Sequence, residues 1–161
     1  MRKILEVIGI AALAFLIWET WRALNGPTPL PPRIPIHFDI AGNPTGWGSP
    51  LGLLLLPGIA TALYLLITVV SQFPGAFSFP VRVTAQNRQR LVGLALQMIT
   101  FIKVELVCLF AWIQSAIIDA VRQNRFGLPA ALVPIFIGVV FATAIAHVIA
   151  MFRTAQPGTG S

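Results

Sequence analysis

The 161-residue chain is 57% hydrophobic and 10% charged, with a mean hydropathy of +0.83. These values exclude an ordinary soluble globular domain, in which about a quarter of residues are charged. The net charge of +6 does not mark a nucleic-acid binder either, because the basic residues are scattered at the ends of apolar runs rather than gathered with aromatics on one polar face.

Apolar runs cover residues 4–24, 51–72, about 91–118 and 130–152. Each is long enough to cross a hydrocarbon core of ~30 Å at about 1.5 Å per residue. This pattern predicts an all-α integral membrane protein: a four-helix transmembrane bundle forming one membrane domain over residues 1–161. Arg2 and Lys3 precede the first run, and Ala23-Leu24-Asn25 offers no good small-x-small cleavage site, so this run is expected to remain as an anchor.

Between the first two runs lies an outer loop, residues 25–50, that lipid-facing helix cannot explain. From Arg33 to Ile40 the apolar residues Ile34, Ile36, Phe38 and Ile40 alternate with Arg33, Pro35, His37 and Asp39. A period of two predicts an extended stretch with one greasy and one polar face. Pro31, Pro32 and Pro35 stiffen it, and Gly42-Asn43-Pro44 and Gly46-Trp47-Gly48 predict turns. Trp47 stands where an indole would mark the membrane–water interface.

Leu30-Pro-x-x-Ile34-Pro35-x-His37-Phe38-Asp39-x-x-Gly42-x-x-x-Gly46-Trp47-Gly48-Ser49, placed between two membrane helices, resembles the signature of a bacterial family of unknown function. The same signature occurs in the SdpI-like immunity proteins, which protect cells against a secreted killing peptide. The family usually has Asn where Asp39 stands, and Lys or Arg where Pro50 follows the serine. The longer second domain of the SdpI immunity proteins is expected to be absent. The resemblance implies an uncharacterised bacterial membrane protein of SdpI-like, immunity or signalling type.

Residues 73–90 form an inner loop. Pro74, Gly75 and Pro80 break it, and Phe73, Phe77 and Phe79 predict a segment lying among the inner headgroups. Thr84 is a candidate cap for the third helix, with Arg88 and Arg90 at the headgroups. The leading Arg2-Lys3 places the N-terminus inside, and four spans return the C-terminus to the cytoplasm of a bacterial inner membrane. The 25–50 loop then faces outward.

Within the spans, Glu19, Lys103, Glu105 and His147 need partners, since a charge at bilayer depth costs roughly 2.5–3.5 kcal/mol on insertion scales. Counting rise from the helix starts puts Glu19 about 22 Å up and Lys103 about 18 Å up, which predicts a Glu19–Lys103 ion pair. His147 falls nearest Gln97 or Glu6 in level. Glu105 is left either protonated or facing a partner protein, on a stripe with Cys108, Trp112 and Asp119. These groups read either as a proton path through Glu105 and His147 or, preferably, as glue between helices.

His37 and Asp39 stand on one side of an extended segment, as a metal site or an acid–base pair would require. Two ligands are too few for zinc, and the lone Cys108 lies in the third span. No GxSxG, HExxH or phosphate-cradling glycine motif occurs. The chain therefore reads as non-enzymatic, without cofactor or metal. Arg33, His37, Asp39, Asn43 and Trp47 are the candidate recognition residues for a peptide or membrane-protein partner; the alternative has His37 and Asp39 bracing their own loop. In function class, an SdpI-like recognition or immunity factor stands against an accessory subunit of a larger membrane complex.

Overall fold

The computed structural model describes residues 1–39, 41–124, 127, 129 and 131–155. Ile40, part of the expected greasy face, lies outside the described residues, as do Arg125 and the tail 156–161.

Four helices are long and apolar enough to cross a membrane. They are α1 (Arg2–Asn25), α2 (Leu55–Val70), α3 (Arg88–Arg122) and α4 (Leu132–Ala155). A 3-10 turn over Pro50–Leu54 leads directly into α2, and Ser49 Oγ accepts the Leu51 amide at 3.3 Å to start it. The loop between α1 and α2 is not helical: it carries β1 (Ile34–Phe38) and β2 (Pro44–Gly48), paired antiparallel. The expected helical spans are thus joined by a small hairpin.

The third helix begins at Arg88, three residues before the expected run, with Asn87 at its N-cap. Thr84 caps no helix directly. Instead it closes a turn with Asn87: the Thr84 amide donates to Asn87 Oδ1 at 2.8 Å, and the Asn87 amide to Thr84 Oγ1 at 3.3 Å. Apolarity alone misses this start because Arg88, Gln89 and Arg90 are helical but polar. With 35 residues, α3 is about 51 Å long, well beyond the ~30 Å hydrocarbon core.

α3 is the hub. It packs on α1 most extensively, then on α4 and α2, whereas α1 and α2 meet much less. Three apolar clusters mark successive levels. At the hairpin end, Ala23, Ile34, Leu53, Ile117, Ile118 and Val121 close together. In the middle Leu16, Ala60 and Ala111 let three helices approach. At the opposite end Leu91, Ala95 and Met151 receive Phe77, Phe79 and Val81. Two of the three phenylalanines of the 73–90 loop therefore fold onto the helices, and Phe73 is left 62% exposed.

Candidate functional site

The hairpin departs from simple alternation. Its register pairs Ile34 with Gly48, Pro35 with Trp47, His37 with Gly46 and Phe38 with Pro44, with irregularities on both sides of His37. A bulge adds a residue to one strand and shifts which face follows, and Pro35 has no amide to donate. Ile34 and Pro35 are consequently both buried, Ile36 and His37 both exposed. The single greasy face expected from the spacing is thus reduced to Ile34 with part of Phe38, which pack on the hairpin-end cluster. Ile36 folds against Gly48 and Gly52 instead.

Asp39 lies in the turn, not on a strand face beside His37. Its Oδ1 accepts the Asn43 amide at 2.8 Å and its Oδ2 the Asn43 side-chain amide at 3.1 Å. The Asp39 amide donates to the Asn43 carbonyl, and Gly42 takes φ 84°, a left-handed conformation suited to glycine. Two of the expected recognition residues, Asp39 and Asn43, thus brace each other. His37 is exposed and held against Gly46, where a Cβ would come within 2.9 Å of His37 Cδ2. Arg33 is exposed at the entry to β1, and Trp47 is 44% exposed on β2. His37 and Asp39 form no acid–base pair.

The donors of Asn43, side chain first and then amide, hold the Asp39 carboxyl below its usual range. A lowered pKa means the brace contributes fully above the ordinary aspartate value of 3.8 and is lost as pH falls through the lower folded value. Hydrogen exchange over 39–48, corrected for intrinsic rates, should be slower in the wild type than in Asp39→Ala at pH 6. The two should converge in acid. Equal protection at pH 6 would remove the brace.

In the membrane, Lys103 does not pair with Glu19. Its ammonium lies 2.8 and 2.9 Å from the two Glu6 carboxylate oxygens and 3.0 Å from Thr68 Oγ1. It also sits 4.4 Å from the centre of the Tyr64 ring, whose hydroxyl donates to Glu6 Oε2 at 2.8 Å. All three ammonium protons have acceptors, and Lys103 is 2% exposed. The expected pairing fails because α1 and α3 align Glu19 with Ser115, twelve positions and about 18 Å beyond Lys103. Counting rise from the helix starts treats those starts as level, yet α3 overshoots the bilayer. The lysine ammonium thus lies at the level of Glu6, near the end of the bundle away from the hairpin.

Glu19 Oε2 accepts the Ser115 hydroxyl at 2.6 Å. Glu105 faces α4, where Thr143 Oγ1 donates to its Oε1 at 2.6 Å, while its Oε2 is buried with no hydrogen-bond partner among the described residues. His147 lies beside Phe101 and Thr143, not Gln97 or Glu6: its Nδ1 is 2.8 Å from the Thr143 carbonyl, which can only accept. Glu105 and His147 therefore meet opposite ends of one residue, the hydroxyl and the carbonyl of Thr143. These bonds form no continuous proton chain; they are bonds between and along helices.

A further buried group escaped the sequence reading. Gln114 is fully buried and donates to Thr20 Oγ1 at 2.8 Å and to the Leu53 carbonyl at 2.9 Å. No α-helical donor is available to that carbonyl, because the residue four positions on is Pro57, which has no N–H. An amide deep in an apolar run and a proline four residues after a leucine were the available signals.

A family profile described as Domain of unknown function (DUF1648) matches residues 7–61. That is about a third of the chain, covering most of α1, the hairpin and the start of α2. No curated protein and no solved structure matches the chain. The chain carries a DUF1648 domain within a membrane-type four-helix protein.

Proposed function

We propose that this is a non-enzymatic, multi-pass protein of the bacterial inner membrane that recognises a peptide, lipid or envelope component at its hairpin-bearing end. That end faces outward, and both termini lie in the cytoplasm, in keeping with the leading Arg2-Lys3. The observation that carries the reading is the hairpin itself. Ile34 anchors it in the apolar cluster and Asp39–Asn43 ties its turn, which leaves Arg33 and His37 exposed on an ordered support. A surface already ordered loses less entropy when a partner binds. The resemblance of this loop to the SdpI-like immunity proteins makes protection from a secreted, membrane-active peptide the activity to assay.

One observation favours a second reading, an accessory subunit of a larger complex. Only 6% of the α4 span is buried, and Ile135, Ile137, Phe141 and Ile145 are exposed.

The test is survival of cells challenged with such a peptide. A reporter fused after Gly48 should register the outside, and the double substitution Arg33→Ala/His37→Ala should abolish protection with thermal unfolding unchanged. Full protection by the double variant, or a reporter registering the inside, overturns the reading. A stoichiometric protein partner retained through gentle-detergent purification supports the second.

A further inference from the structure

At the hairpin end, a cavity of about 570 Å³ opens between α1 and α3. Arg22 and Arg122 flank it, Val121 lies within it, and the strap Pro27-Thr28-Pro29-Leu30-Pro31 passes over it. Neither arginine has a carboxylate partner, since the one ion pair among the described residues is Lys103–Glu6. The acids nearest in sequence do not quench them. Glu19 is engaged by Ser115, and Asp119, one turn before Arg122, makes no ion pair with it.

The last turns of α1 and α3 present the carbonyl ends of their helices, which favour cations there but hold no anion themselves. The charged donors the lining offers an anion are therefore the two guanidinium groups. Arg22 is already ordered: its guanidinium carbon lies 5.2 Å from the Trp18 ring centre. Stacking uses the face of the guanidinium and leaves its N–H edge to donate, the geometry that suits phosphate oxygens.

Depth and surroundings choose between phosphate sources. Twenty residues of helix separate Arg2 from Arg22, about 30 Å, the thickness of the hydrocarbon core. Arg22 thus stands at the phosphate level of the leaflet opposite Arg2. Toward the bilayer centre, α1 continues this face with Trp18, 49% exposed, and Phe15, 46% exposed, whose rings lie 6.1 Å apart. An acyl chain has an apolar wall to follow, which a free phosphate ion would not use.

We infer that the Arg22–Arg122 cavity is a binding site for the phosphate of an anionic phospholipid, with the acyl chain lying along Trp18 and Phe15. The site is separate from the exposed hairpin residues and does not depend on their role.

Native mass spectrometry of the full chain in detergent tests it, with phosphatidylglycerol and phosphatidylcholine as probes. Wild-type protein should prefer phosphatidylglycerol by about 30-fold, the effect of two interfacial arginines at their usual strength. Arg22→Gln/Arg122→Gln should lose that preference, and millimolar inorganic phosphate should not displace the lipid. Equal binding of the two lipids by the wild type, or a preference that survives in the double variant, overturns the site. Displacement by inorganic phosphate overturns the lipid assignment in favour of a free anion. If the double variant does not fold, Trp18→Leu decides instead. It keeps both charges but releases Arg22, and a preference unchanged in it refutes the ordered site.

Discussion

Replacing Gln114 by leucine should lower the unfolding free energy of the detergent-solubilised protein by about 2–3 kcal/mol, and replacing Pro57 by alanine in that background should recover part of the loss. Leucine is comparable in volume to glutamine, so little of the cost comes from a cavity. Thr20 is not left stranded, because its hydroxyl still donates to the Leu16 carbonyl at 2.7 Å. What remains is the Leu53 carbonyl, buried and deprived of its Gln114 donor in a medium that holds no water. An alanine at 57 returns an amide four residues along, where a helix would place it. Thermal unfolding of the wild type, both single variants and the double variant forms a closed cycle. A coupling of at least about 0.5 kcal/mol supports the account, and strict additivity would sink it.

The second large effect belongs to Lys103. Glu6→Gln should destabilise the protein by about 3 kcal/mol, the low end for a broken buried pair because the Glu6 side chain is 32% exposed. Lys103→Met should cost less than removal of its partner, since Glu6 keeps the Tyr64 hydroxyl and some solvent. The double variant Glu6→Gln/Lys103→Met should be more stable than the sum of the singles predicts. Glu19→Gln should leave the Lys103 cluster untouched, and a loss equal to that of Glu6→Gln would contradict the observed pairing.

The membrane fold was legible because hydrophobic length is a direct consequence of bilayer thickness, and four apolar runs map onto α1 to α4 within a few residues. The loop was legible as extended but not as a bulged hairpin. Alternation over 33–40 cannot report that Pro35 lacks an amide for the ladder, and that Ile34 and Pro35 are buried together. Pairing inside the membrane was the least legible level. Sequence shows which residues need partners, but the partner depends on the axial offset of two helices. That offset is set by Leu16, Ala60 and Ala111 and by Gly9, where a Cβ would stand 3.2 Å from both Tyr64 and Val104. Glu6 entered the sequence reading only as a neighbour in level for His147, whereas α3 brings Lys103 to it.

The central position of α3 also orders events in time. The acids of α1 find their partners far along the chain: Lys103 follows Glu6 by 97 positions, and Ser115 follows Glu19 by 96. At about 5–20 residues per second, a ribosome needs roughly 5–20 s to supply them. Before α3 is supplied, α1 and α2 are already made: Glu6 has the Tyr64 hydroxyl but not Lys103, while Glu19 and the Leu53 carbonyl still lack Ser115 and Gln114. The nascent pair must therefore wait at the membrane edge or beside the insertion machinery. Arrival of α3 is the step that turns two tolerated segments into a committed structure.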